Sequence, residues 1–269
     1  MMTTLMPKAN NRLQDRNFDD LADKFSHNIY DTAKGKIRQA ILWEDLDTVF
    51  TRFPGRELLI LDAGGGNGIM SCKMAKLGHK VIFCDISEKM LAQAEEYAVS
   101  EGVEQNITFL HCAAQEVGQY LPRKVDLILF HAVLEWVQEP RFILAKLNSY
   151  LQDNGLLSLM FYNYNGLLFR NVQLGNFGYI NAGMYKKKRR TLSPDHPLKP
   201  EDVYHWLDEL AFETLIKSGV RVFNDYLRDK QADFETLLAL EKQFCRQEPY
   251  LSLGRYIHVL AHKTNHEVQ

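Results

Sequence analysis

The sequence predicts a doubly wound α/β fold, a parallel sheet with helices on both faces, and three observations predict it. From residue 58 onward, short apolar runs alternate with stretches of helical periodicity, the pattern of repeated βαβ units. The first run, 58–62, ends in Asp62 and opens into Ala63-Gly64-Gly65-Gly66-Asn67-Gly68 ahead of a helical stretch. The next run, 79–85, again ends in a carboxylate, Asp85.

Each element has its own reason. Residues 1–15 are polar and read as a mobile extension; residues 16–269 read as one domain. Phe18, Leu21, Ala22 and Phe25 share one helical face, and Ile37, Ala40, Ile41 and Leu46 share another. After strand 58–62 comes a helix from Ile69 to Leu77, stopped at Gly78. Strand 80–85 follows. Ser87 then caps a helix carrying Met90, Leu91 and Ala94. Strands are expected at 107–112 and 125–130, and a helix at 138–151 has Pro140 in its first turn. Asp153-Asn154-Gly155 reads as a turn into strand 156–162. A helix at 200–210, a strand at 213–223, a helical stretch at 229–246 and a strand at 255–263 complete the series. Residues 163–199 are too long for an ordinary connection and are read as an insertion capping the substrate side.

Composition sets bounds. With 269 residues, 46% of them hydrophobic, the chain can bury a sizeable core, and a net charge of −2 gives no global sign of nucleic acid. The four cysteines are scattered without a C-x-x-C pair, which suits reduced thiols rather than a disulfide framework or zinc site. No signal-peptide core or membrane-length apolar stretch is present, so a soluble cytoplasmic protein is expected. No His/Cys cluster has metal-ligand spacing, and no G-x-S-x-G or phosphate-loop motif occurs.

Ligands of open α/β sheets bind beyond the carboxyl ends of the strands. Glycines there let a ligand lie on main-chain N–H groups at a helix start. A carboxylate on the following strand suits ribose hydroxyls, which is the role expected of Asp85. The spacing Asp62-x-Gly64-x-Gly66-x-Gly68 does not match the dinucleotide fingerprint. It resembles motif I of class I S-adenosylmethionine-dependent methyltransferases. That resemblance implies a mostly parallel sheet with an antiparallel last strand and a cofactor of S-adenosylmethionine. It sets Gly64 and Gly65 against the methionine part, Ala114 and Gln115 against the adenine, and His131 beside the methyl group. Leu134 and Trp136 are expected in the core.

The run Lys186-Lys187-Lys188-Arg189-Arg190 is either a solvated loop or a polyanion contact, since like charges packed this closely repel. Tyr162, Tyr164, Phe169, Phe177, Tyr179 and Tyr185 lie in or beside the same insertion. Cations interleaved with aromatics suit single-stranded RNA.

Beyond motif I the chain resembles the bacterial tRNA 5-carboxymethoxyuridine methyltransferases from about residue 14 to near its end. The most specific stretches are Ile128-Leu129-Phe130-His131-Ala132-Val133-Leu134-Glu135-Trp136 and Lys187-Lys188-Arg189-Arg190-Thr191-Leu192-Ser193-Pro194. Asp153-Asn154-Gly155 departs from the usual Pro-Gly-Gly turn. The resemblance implies methylation of the carboxylate of 5-carboxymethoxyuridine at wobble position 34, giving 5-methoxycarbonylmethoxyuridine. The partner is then a tRNA anticodon loop, met by Lys186, Lys187, Lys188, Arg189 and Arg190. It also implies that Arg38 pairs with the methionine carboxylate of the cofactor. No metal and no catalytic base is assigned. Two alternatives stay open: a small-molecule O-methyltransferase acting on a quinone or carboxylic acid, and a cofactor-binding RNA partner without turnover.

Overall fold

The structure, a computed structural model, describes residues 15, 17, 19, 32–184, 194, 196–228 and 233–264. The helical face expected around Phe18–Phe25 and the basic run lie outside the described residues. In order, the elements are α1 (Ala33–Arg52), β1 (Leu59–Ala63), α2 (Ile69–Lys76), β2 (Lys80–Asp85), α3 (Glu88–Ser100), β3 (Ile107–His111) and β4 (Val125–His131). Then come α4 (Pro140–Tyr150), β5 (Leu151–Tyr162), α5 (Tyr164–Gln173), α6 (Phe177–Asn181), α7 (Pro200–Glu209), β6 (Phe212–Val220), α8 (Phe234–Phe244), α9 (Tyr250–Leu253) and β7 (Tyr256–Lys263).

Among the described residues the strands form one sheet in the order β3-β2-β1-β4-β5-β7-β6. Neighbours from β3 to β5 are parallel, and β7 runs antiparallel to both β5 and β6. The chain leaves β1 toward β2 and β3 on one side, and later returns to β4 on the other. That reversal opens a crevice at the carboxyl ends of β1 and β4.

The central strands β1, β2 and β4 and the second half of β5 are mostly apolar because both faces are covered. Leu61, Ile128, Phe130, Leu157 and Leu159 pack on one side with Ile143, Leu144 and Leu147 of α4 and Val203 and Leu207 of α7. Ile60, Phe83, Leu127 and Leu129 point the other way, as the two-residue strand period requires, onto Leu46, Val49, Cys72, Met74, Ala94 and Ala98. A third cluster joins Ile37, Ile41 and Leu42 of α1 to Met160, Tyr162, Leu167, Val220 and Tyr256. It fastens α1 and the insertion to the β5–β7 end of the sheet.

Two expectations change. The turn predicted at 153–155 is instead an irregularity inside β5. Leu151 already pairs with Val125, and the register slips before Leu127. Asn154 takes φ 62° to absorb the slip. Gly155 is needed there because a Cβ would stand 2.9 Å from Gln152 O and Leu151 Cδ2. The insertion, read only as a long segment, contains α5 and α6. Its base is closed by a parallel bridge between Asn163 and Leu198.

Candidate functional site

One cleft sits at the crevice. It encloses about 1160 Å3 of space, counting the part open to solvent, enough for a nucleoside joined to an amino acid. Arg38, Gly64, Gly65, Asp85, Ala114, Gln115 and His131, the residues assigned to the cofactor from sequence, all line it. Lys186, Lys187, Lys188, Arg189 and Arg190 lie outside the described residues.

The floor is the glycine turn. Gly64 and Gly66 adopt φ 68° and 61°, a region that side chains resist. A Cβ on Gly64 would come 2.6 Å from Val133 Cγ2, and one on Gly65 would overlap the Phe83 ring. Side chains are therefore excluded, and a ligand meets bare backbone. Gly68 lies just ahead of α2, whose free N–H groups favour negative charge.

Asp85 holds the turn and faces the cleft. Its Oδ2 accepts from Gly66 N–H at 3.1 Å and its Oδ1 from Ser87 N–H at 2.9 Å. Each oxygen keeps a lone pair for a hydroxyl donor. Burial pushes its pKa up to about 6, against the pull of those two N–H groups. Asp62, on the cleft wall, is pushed up to about 7 by burial although the Ser71 hydroxyl donates to it at 2.7 Å.

Three residues near the N-terminus clasp this end. Asp15, assigned by sequence to the extension, lines the cleft. It accepts from Gln115 Nε2 at 3.2 Å and from Gln138 N–H at 3.0 Å. Asn17 donates to Ile86 O, and Asp19 accepts from the Ser87 hydroxyl at 2.6 Å. Ile86, Met90, Ala114 and Val137 supply apolar walls between them.

At the opposite end the cleft is made of side chains. Arg38 is buried on the sheet-facing side of α1, and its Nε has no partner among the described residues. His131 ends β4 opposite Met160 of β5, and both line the cleft. Trp136 lines it too, a correction to its expected core place, while Leu134 is in the core as expected. The turn Leu134–Trp136 explains the split, because consecutive residues of a short helical turn face different ways.

Behind His131 runs a buried hydrogen-bonded chain that sequence reasoning missed. His131 Nε2 is 2.7 Å from Ser158 Oγ, and Ser158 Oγ is 2.8 Å from His258 Nε2. His258 Nδ1 is 2.7 Å from Asp45 Oδ2. Arg246 donates through Nε and Nη2, and Ser218 through its hydroxyl, to Asp45 Oδ1. Burial opposes ionisation of Asp45, but the bond and charge of His258 and the Arg246 guanidinium outweigh it and hold the carboxyl below its usual range. His258 Nδ1–H is therefore the donor. Burial, with the nearby charges of His258 and Arg38, keeps His131 far below the usual imidazole range, so its ring is neutral at pH 7. The chain fixes the ring and leaves Nδ1 as its second polar atom. One signal was available: Arg38 and Asp45 lie seven residues apart on the stripe of α1 that buries Ile37, Ile41, Leu42 and Leu46, and charges on an apolar stripe ask for a reason.

Residues 61–159 match the family model of the methyltransferase domain. The tRNA 5-carboxymethoxyuridine methyltransferase of Escherichia coli (strain K12) is 58% identical over 93% of this chain and 97% of its own length. The chain belongs to that family. A more distant member of the wider group, the ubiquinone biosynthesis O-methyltransferase of Pasteurella multocida, is 30% identical over 60% of this chain and 67% of its own. Among solved structures, magnesium protoporphyrin IX methyltransferase from Synechocystis PCC 6803 with bound SAH has a TM-score of 0.64. It is 18% identical over 92% of this chain and 96% of that one, a likeness of fold.

A family member takes S-adenosylmethionine, and the cleft suits it on its own terms. Bare backbone and a carboxylate lie at one end, with apolar walls beside them. An arginine with an unpartnered buried Nε lies at the other. Among the described residues no group of His, Cys, Asp and Glu could hold a metal, and no helix is long and apolar enough to cross a membrane.

Proposed function

We propose that this methyltransferase esterifies the carboxylate of 5-carboxymethoxyuridine at wobble position 34 of tRNA, giving 5-methoxycarbonylmethoxyuridine. One observation carries the reading. The 58% identity to the E. coli enzyme runs through 93% of the chain, so it takes in the insertion as well as the cofactor half.

S-adenosylmethionine supplies an electrophilic methyl group. The residues of this chain then have three tasks. Asp85 and the glycine turn hold the nucleoside end, and Arg38 holds the carboxylate of the methionine end through a charge-assisted pair. His131, fixed from behind by Ser158, stands at the rim where the acceptor arrives. No residue has to remove a proton, because a carboxylate with a pKa of about 4 is already ionised. Alignment supplies the rate, and effective molarities on the order of 10⁵–10⁸ M show how much it can supply.

The insertion supports an RNA acceptor. Phe169 and Phe177 are 39% and 61% exposed on α5 and α6, placed where unstacked bases could rest on them. The run from Lys186 to Arg190 adjoins them in sequence and offers five cations to phosphates. Nucleoside mass spectrometry on tRNA from cells lacking this protein tests the reading. Free 5-carboxymethoxyuridine should accumulate at the expense of its methyl ester, and re-expression should reverse this. An unchanged profile would point instead to a small-molecule acceptor.

A further inference from the structure

The sheet edge next to the cleft carries an unusual cluster. Tyr162 is the last residue of β5 and pairs with Tyr256, the first of β7. Their rings meet edge to face at 5.3 Å. Three guanidinium groups stack on them: Arg255 at 4.8 Å from the Tyr162 ring, and Arg38 and Arg221 at 4.9 and 5.6 Å from the Tyr256 ring. Only Arg221 has a carboxylate partner among the described residues. It grips Asp225 with two bonds of 2.6 and 2.8 Å. Glu135 is buried close enough to Arg38 to feel its charge, and burial lifts its pKa to about 7. Cations therefore exceed anions.

Among the described residues the cluster holds unmet donors as well as the unmet carboxyl of Glu135. Tyr162 is 2% exposed, and its phenol oxygen has no hydrogen-bond partner among the described residues. Arg255 Nη1 is buried and equally without one among the described residues. Both can donate, and a guanidinium can do nothing else. Buried donors without acceptors are disfavoured unless a ligand supplies the acceptor. The group that suits a guanidinium and a phenol together is an oxyanion.

The position suits the acceptor. Met160 lines the cleft, and Tyr162 follows it by two residues, hence on the same face of β5 and one step nearer the rim. Arg38 belongs to both the cleft and the cluster. The walls are built. Asn163 Nδ2 donates to Ser252 O and Gly254 O at 2.9 and 2.8 Å, fixing the backbone that carries Arg255. Tyr226 OH ties Leu253 O to Gly166 O of α5 at 2.6 and 3.2 Å.

We infer that Arg255 and Tyr162, flanked by Arg38 and Arg221, form the subsite that receives the carboxylate of the acceptor nucleoside. The inference rests on the substrate reading above and adds residues to it. A carboxylate held here accepts from Arg255 and Tyr162 through one oxygen and keeps the other for the methyl group. Arg255 and Tyr162 thereby select the acid over uridines that lack it.

The same oxyanion chemistry could belong to an RNA phosphate, so the test uses two tRNAs that differ only at the wobble base. One carries 5-carboxymethoxyuridine and the other 5-methoxyuridine, which has no carboxylate. Dissociation constants are measured with S-adenosylhomocysteine bound. The wild type should prefer the acid-bearing tRNA. Arg255→Gln should weaken its binding about tenfold or more, the usual worth of a buried charge-assisted bond. Binding of the 5-methoxyuridine tRNA and of S-adenosylhomocysteine should change by less than about twofold on the same scale. Arg255→Lys should recover part of the preference. Tyr162→Phe, which removes one oxygen and keeps the ring, should lose part of it and guards against a folding defect in the arginine variants. Equal losses for both tRNAs would assign the cluster to phosphate and overturn the inference. Preference kept in both the Gln and Phe variants would overturn the subsite alone. A wild type that does not distinguish the tRNAs would overturn the substrate reading with it.

Discussion

At the β1–β2 end of the cleft the ligand surface is backbone. Four glycines and one carboxylate make it, and all lie within residues 64–85. At the β4–β7 end the lining is side chains, Arg38 and His131, with Tyr162 and Arg255 clustered beside Arg38 and with Asp45, Ser158 and His258 braced behind. The first end depends on what must be absent, since a Cβ at Gly64 or Gly65 would strike Val133 or Phe83. The second depends on what must be present and fixed, since its groups are buried ions and hydrogen-bonding rings. The two ends should therefore fail differently. Damage at the first should cost cofactor affinity with little loss of stability. Damage at the second, at residues other than Arg38 and His131, should cost stability or acceptor binding and spare the cofactor.

The largest effect should come from the buried chain. Asp45→Ala leaves His258, Arg246 and Ser218 without their shared acceptor. Removing one member of a buried ion pair costs about 3–5 kcal/mol, read as a lowered denaturant midpoint. Folded Asp45→Ala protein should still bind S-adenosylhomocysteine within a few-fold of wild type. Cofactor binding lost in step with stability would erase the distinction between the ends.

Asp85→Ala should act the other way. Two charge-assisted bonds to ribose hydroxyls are lost, so the S-adenosylhomocysteine dissociation constant should rise roughly 100-fold. Calorimetry reads it directly, and an unchanged constant would remove Asp85 from the ligand.

Titration sharpens the same point. Burial raises Asp85 to about 6 in the free protein, and hydroxyl donors favour its ionised form. Affinity for S-adenosylhomocysteine should therefore be full above pH 6 and fall about tenfold per unit below it. Asp85→Asn should bind weakly and without that slope. Stability of the free protein runs opposite. Asp62, Asp85 and Glu135 all have raised pKa values, so between about pH 4 and 7 the folded state holds more protons than the unfolded one. Their contribution to stability therefore falls as pH rises through that window.

The smallest effect should be at the insertion. Phe177→Ala removes an exposed ring, so stability should stay within about 0.5 kcal/mol. If a base stacks there, tRNA affinity should fall several-fold, at the lower end of the roughly 1–3 kcal/mol measured for stacked bases. Unchanged affinity would release α6 from the RNA surface.

The same contrast explains what the sequence reveals. The expected strands at 58–62 and 80–85 are found at Leu59–Ala63 and Lys80–Asp85, because apolar runs and glycines are local signals. All seven expected cofactor residues meet in one cleft, since strand order places them there once the fold is known. The chain from Asp45 to His131 was invisible. Ser158 and His258 are 100 residues apart, and His258 and Asp45 are 213 apart. A serine and a histidine inside apolar strands carry no mark of each other. The early start of β5 was missed because its first residues read as a turn, and only pairing of Leu151 with Val125 makes them a strand. The helices α5 and α6 were missed because asparagine, glycine and aromatics dominate their sequence, residues of modest helix propensity.

The most direct measurement is methyl transfer in vitro. The purified protein is given S-adenosylmethionine and tRNA from cells that lack the ester, and the nucleosides are then separated by mass. The account predicts conversion of 5-carboxymethoxyuridine to a methyl ester that mild alkali returns to the acid. Methyl label that stays on the tRNA after alkali, or an acid that persists beside an active enzyme, would contradict it.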